Sequence, residues 1–153
     1  MGQNIGAGDP ARGKKAVSIA ASFGATWALL IGVVFWFYPA ELLALFDAVD
    51  GNIVEIGVTL LRTLAFSGVV LAITLALTGG LQGAGETKMP MYIAFLTQIV
   101  LLLGICWYFD WRDALTPERV WMAIFISHLG RLVLTWLVFR TEKWAHTKVE
   151  LTS

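Results

Sequence analysis

The sequence predicts an all-α polytopic membrane bundle of four transmembrane helices, and three observations carry that reading. Of 153 residues, 58% are hydrophobic and 14% charged, with a mean hydropathy of +0.73. Soluble domains carry about 25% charged and about 45–50% apolar residues. The charges fall into short clusters, and between them lie four apolar runs, about 17–38, 55–78, 89–109 and 119–139. Each is close to the roughly 20 residues a helix needs to cross a hydrocarbon core. The formal net charge is zero, so nothing points to nucleic acid, and membrane lipid is the expected surrounding.

Residues 1–16 are small, polar and turn-forming, and the basic cluster Arg12, Lys14, Lys15 is expected at a membrane surface. The first apolar run is a retained span rather than a signal peptide. It exceeds an h-region of about 7–15 residues, and Phe35-Trp36-Phe37-Tyr38-Pro39 is bulky where a cleavage site needs small side chains. Ser18, Ser22 and Thr26 share one face, and Gly24 and Gly32 permit close helix contact. Pro39 stops the helix beside an interfacial aromatic group. From Ala40 to Asp50 an amphipathic piece follows, with Leu42, Leu43, Leu45 and Phe46 in the interface and Glu41, Asp47 and Asp50 in water.

The second run carries Glu55 and Arg62 on one face, and Arg62 lies near enough to the end to snorkel as an anchor. Ser67, Thr74 and Thr78 form a small-polar stripe suited to helix packing. The Gly-rich segment 79–90 then reads as a cytoplasmic turn in which Thr87 caps the following helix and Pro90 suits its first turn. It lacks the P-loop order and no parallel-strand pattern precedes it, so no nucleotide site is expected. The third run has Gln98 near its middle and Trp107, Tyr108 and Phe109 at its far interface. Thr116, Pro117 and Glu118 supply cap, first turn and dipole complement for the fourth run. The tail with Arg140, Lys143 and Lys148 is expected to fray.

Lys and Arg outside the helices set the orientation. Arg12, Lys14, Lys15, Lys88, Arg140, Lys143 and Lys148 lie on one side, against Arg112 and Arg119 on the other. The positive-inside rule then places both termini and the Gly-rich segment in the cytoplasm of a plasma or inner membrane.

Enzyme chemistry finds little support. There is no HxxxH, HExxH or GxSxG, the acids lie in connectors or at helix ends, and Cys106 has no partner at metal-ligand spacing. No catalytic residue, cofactor or metal site is expected. The candidate intramembrane polar residues are Gln98, His128 and Arg131, the last two sharing a face with Thr135. A charge at Arg131 is costly unless it faces protein or water, which makes this face a functional candidate. Two readings stay open: a functional face, or an arginine that snorkels to headgroups with His128 bonded to a backbone carbonyl.

The run from Gly80 through Leu81, Gln82, Gly83, Ala84, Gly85, Glu86, Thr87, Lys88 and Met89 to Pro90 resembles the LQGAGDTRxP loop of the multidrug and toxic compound extrusion (MATE) transporters. Gly2-Gln3-Asn4-Ile5-Gly6-Ala7-Gly8-Asp9-Pro10 resembles that family's GQNLGAGDPxRA segment. Tyr38-Pro39 through Leu45-Phe46 resembles its xPxxLLxLF connector, and Leu61-Arg62 the LR that opens its tenth helix. The resemblance implies that these helices correspond to the ninth to twelfth of twelve, in a fold of two six-helix lobes around a cavity.

It further implies export of small cationic organic compounds in exchange for Na+ or H+, with the missing amino-terminal helices of the same transporter as partners. Met1 stands where the family is in mid-sequence, so the chain is expected to be a fragment. The acid that the Na+-linked branch carries in its tenth helix would fall near Leu71, yet no Asp or Glu occurs between Glu55 and Glu86. The coupling acid of an intact parent is expected elsewhere. The alternatives are a free-standing four-helix membrane assembly protein and a lipid-linked sugar flippase of the wider superfamily.

Overall fold

Asp9 and Pro10 start the first long helix: the Asp9 carboxylate accepts a hydrogen bond from the Arg12 amide (2.9 Å), and Pro10 has no amide to leave unsatisfied. The computed structural model describes residues 1–47 and 50–146, apart from the side chain of His146; Lys148 of the expected basic tail lies outside the described residues. Among the described residues there is no strand. The helices are α1 (Gly2–Gly6), α2 (Pro10–Phe37), α3 (Pro39–Ala44) and α4 (Gly51–Gly83), then α5 (Lys88–Phe95), a π-helical segment (Leu96–Leu101), α6 (Leu102–Trp111), α7 (Pro117–Arg140) and a short 3-10 turn (Lys143–His146). α5, the π segment and α6 form one membrane-length element, Lys88–Trp111. It, α2, α4 and α7 are each long and apolar enough to span a bilayer.

The helices exceed the apolar runs, which corrects three sequence expectations. Residues 1–16 are not a loose turn: Gly2–Gly6 is helical and the Arg12, Lys14, Lys15 cluster lies inside α2. Segment 79–90 is not one long turn either, because α4 continues to Gly83 and the break is confined to 84–87. Hydropathy marks where a helix leaves the hydrocarbon, whereas backbone hydrogen bonding marks where it ends. Nor does the tail fray up to residue 146, since Trp144 is packed into the core at 2% exposure.

Two helix ends are built alike. After α1, Gly8 takes φ +76° and its amide bonds Ile5 O, while the Asp9 amide bonds Asn4 O. After α4, Gly85 takes φ +88° and its amide bonds Gln82 O, while the Glu86 amide bonds Leu81 O. This paired pattern closes a helix through a left-handed residue that glycine enters without a Cβ penalty. In both cases the acid after the glycine caps the next helix: Asp9 as above, and Glu86 by accepting from the Met89 amide (3.0 Å). Glu86 therefore does the work expected of Thr87, whose side chain makes no capping bond. Asp50 likewise accepts from the Asn52 amide (2.9 Å) to start α4, and Thr116 caps α7 as its sequence position suggests.

Packing does not follow chain order: α2 lies along α4, α4 along α7, and α7 along Lys88–Trp111, so the last span sits between the second and the third. Gly32 brings α2 against α4, where a Cβ would stand 2.7 Å from Ala65 O. The buried cluster sits at the end of the bundle carrying the two Gly-Ala-Gly turns, and consists of Val17, Leu77, Leu81, Ala84, Phe139 and Trp144, with Met1, Ile5 and Ile73 against it. Elsewhere large apolar side chains such as Phe23, Leu75, Phe95 and Val133 face outward, as lipid or neighbouring apolar helices require.

Candidate functional site

Small polar residues along α4 and the third span satisfy themselves. Thr63, Ser67 and Thr74 donate hydroxyl bonds to the carbonyl four residues back, as does Thr97 to Ile93 O (2.8 Å). Ser67, Thr74 and Thr97 are buried. A hydroxyl returned to its own helix leaves a short side chain at an interface, so these residues let helices approach.

The Gly-rich motif divides by burial. Leu81, at 0% exposure, and Ala84 belong to the core, and Pro90 is buried beside them in sequence. Gln82, Gly83, Gly85 and Thr87 are exposed. Gly80 lies under Val17 and Phe139, with no room for a Cβ (2.7 Å to Val17 Cγ2). The motif's apolar positions thus lock α4 to α2 and α7, and its polar positions face outward.

Above α4, between α2 and α7, runs an open groove. Its section near the core holds about 550 Å³, with Lys14, Ser18 and Ser22 of α2 facing Trp136 and Arg140 of α7. Toward the other end, a section of about 530 Å³ is lined by Trp36, Arg62, Phe66, Glu118 and Phe125. The wall between is apolar, with Leu29, Val33, Val69 and Val70. Cations stand at both ends, and two of them lie over aromatic faces: Arg62 over Trp36 (5.6 Å) and Arg140 over Trp136 (5.3 Å). Lys14 pairs with Glu142, which joins α2 to the segment after α7. That pairing, first through the hydrogen bond and then through charge, holds the Glu142 carboxyl below its ordinary range.

The three intramembrane candidates do not form one site. Gln98 lies in the π segment and donates to Ser127 Oγ of α7 at 3.4 Å, a contact between helices. Gly130 lets the same segment close on α7, its Cβ position being 3.3 Å from Leu101. Ser127 also donates to Ile124 O (2.8 Å). His128 Nδ1 is buried without a hydrogen-bond partner, so the backbone-carbonyl reading does not describe that nitrogen. Arg131 is partly exposed, and the ion pair found among the described residues is Lys14–Glu142. Neither His128 nor Arg131 lines the groove above α4.

Sequence reasoning missed Trp144, the π segment and the repeated Gly-Ala-Gly-acid turn. The first two leave no pattern in hydropathy. The third was legible as Gly6-Ala7-Gly8-Asp9 against Gly83-Ala84-Gly85-Glu86. Among the described residues no three His, Cys, Asp or Glu side chains gather as a metal site.

A family profile described as MatE matches residues 1–108. A protein named "Probable multidrug resistance protein NorM" from Thermotoga maritima is 25% identical over 114 residues, which are 74% of this chain and 24% of that relative. A protein of the same name from Synechocystis sp. is 21% identical over 118 residues, 74% of this chain and 26% of the relative. The chain thus spans about a quarter of the length of these curated relatives. No solved structure matches it.

Proposed function

The chain belongs to the MatE family, and on that premise we propose that it supplies four membrane-crossing helices to a multidrug-type secondary antiporter and is not an enzyme. The observation that carries this reading is the match over residues 1–108, which runs through both Gly-Ala-Gly turns and three of the long helices. The names of the two relatives support drug export as the activity. The substrates are small cationic organic molecules and the driving gradient is Na+ or H+. With no carboxylate between Glu55 and Glu86, the coupling acid sits on helices contributed by the rest of the exporter.

Physical features of the bundle support a role in alternating access. That mechanism rocks groups of helices as near-rigid bodies, and rigidity requires helix ends that do not hinge independently. Here the ends of α1, α2, α4 and α7 share one buried cluster. The asymmetry of Lys and Arg supports a cytoplasmic location for that end, in the cell membrane.

The test is accumulation of a cationic fluorescent drug in an efflux-deficient bacterium that expresses the chain alone or with its flanking genomic sequence, membrane insertion being checked in the same cells. Lower accumulation, abolished by collapsing the ion gradient, is expected for the longer product. Normal insertion with unchanged accumulation in both would overturn the antiporter reading.

A further inference from the structure

We propose that Arg131, with His128 beside it, binds a carboxylate carried inside the bilayer by a transmembrane helix outside this chain. Arg131 follows Pro117 by about 21 Å of helical rise and precedes Arg140 by about 13 Å, so its Cα lies just past the middle of α7. Escape to the nearer headgroups is opposed by geometry. Side chains on an α-helix lean toward its N-terminus, which for Arg131 is the direction of the bilayer centre and the more distant surface. A guanidinium held there is costly without a counter-charge or water.

Among the described residues, no acid of the bundle supplies that counter-charge. α2 carries no acid between Pro10 and Phe37, and α4 none between Glu55 and its end at Gly83. The third span has none before Asp110, and α7 none after Glu118. The ion pair found among the described residues joins Lys14 to Glu142, away from this face. A second observation points the same way. His128 stands three residues before Arg131, on the same side of the helix; its Nδ1 is enclosed by the bundle, which leaves Nε2 as the nitrogen open to a group outside the chain. A guanidinium and an imidazole donating from Nε2, one turn apart, suit the two oxygens of a carboxylate, which accepts from both. Neither residue lines the groove above α4, so a solute entering there does not meet them.

This inference rests on the preceding reading only in taking the chain as part of a larger helical assembly, and its test reads association rather than export. The full chain is reconstituted in phosphatidylcholine vesicles above neutral pH with a Leu/Ala-rich single-span peptide bearing one Glu at its midpoint, or Gln in its place. Energy transfer between chain and peptide is then measured. The Glu peptide should bind about tenfold more tightly than the Gln peptide. That preference should persist in Arg131→Lys, weaken in His128→Leu and vanish in Arg131→Leu, with helicity unchanged by circular dichroism.

Equal binding of the two peptides, or a Glu preference that survives Arg131→Leu, would overturn the proposal. An unchanged preference in His128→Leu would remove His128 from the site. Loss of the preference on adding phosphatidylglycerol would assign the counter-ion to lipid phosphate and likewise overturn it.

Discussion

Gly2 approaches Gly83 so closely that a Cβ on Gly2 would stand 2.6 Å from the Gly83 carbonyl oxygen. The contact joins the segments carrying the two Gly-Ala-Gly turns, which are some eighty residues apart in sequence, and it is a backbone approach that no other side chain allows. Gly2→Ala should therefore detach the amino-terminal helix or shift it, at a cost of about 1–3 kcal/mol. Gly6→Ala is the control, because nothing lies within 4 Å of its Cβ position. Limited proteolysis and thermal melting in detergent should distinguish the two; equal behaviour would show that the contact does not hold α1 in place.

Gly32 makes the corresponding approach deeper in the membrane, against Ala65 O at 2.7 Å. Gly32→Val should force α2 away from α4 and lower the melting temperature, again by about 1–3 kcal/mol of overpacking. Gly68→Ala, with open space at its Cβ, should be tolerated. A stable Gly32→Val protein with unchanged distances between labels on α2 and α4 would contradict the packing.

Trp144 closes the core from beyond the end of α7. Its ring stacks on Phe139 at 5.3 Å and 21°, and its indole Nε1 donates to Phe139 O at 2.7 Å, a last-turn carbonyl that otherwise accepts only the long bond from the Glu142 amide (3.4 Å). Trp144→Ala should cost about 3–5 kcal/mol, since it empties a large buried site. Trp144→Phe keeps the stack and loses the hydrogen bond, at about 1–2 kcal/mol. Chemical unfolding in mixed micelles would rank them; an Ala variant as stable as the parent would mean that residues 141–146 contribute nothing to the core.

Glu142 makes the same region pH-sensitive. Its carboxyl is lowered by Lys14, so the pairing stabilises the fold above the ordinary glutamate range and fades as the pH falls through the lower folded value. Both partners are largely solvated, so the effect is small and screened by salt. The melting temperature of the parent should exceed that of Glu142→Gln at neutral pH and low salt. The two curves should converge under acid conditions, and parallel curves down to acid pH would remove the pair from the account.

How much was legible in the sequence depends on the range of the physics involved. The four long helices follow from run length, because the cost of leaving a backbone amide unpaired in lipid is met within each helix. Thr116-Pro117-Glu118 announces a helix start because a cap needs only neighbours in the chain. The turn after α4 was placed correctly in order and wrongly in extent: Gly79 to Gly83 read as breakers, yet Gly80 and Leu81 are needed helical and buried against Val17 and Phe139. Local glycine propensity costs about 1 kcal/mol per residue, which close packing offsets.

The candidate residues divide in the same way. Arg131 could be singled out from its depth alone, since charge and position along a helix are both one-dimensional. That Gln98 meets Ser127, that a π segment carries it there, and that His128 Nδ1 lacks a partner depend on how α7 is rotated against the third span.

The sequence by itself therefore determined the membrane class, the order of the four spans, the Thr116 cap of α7 and the family motifs, all of which rest on hydropathy and contacts between near neighbours. The tertiary structure alone decided that Gly2 seats on Gly83, that Trp144 belongs to the core, and that Arg131 has no acid within the described bundle. Those relations join residues far apart in the chain, where the close fit of helix surfaces selects the partner.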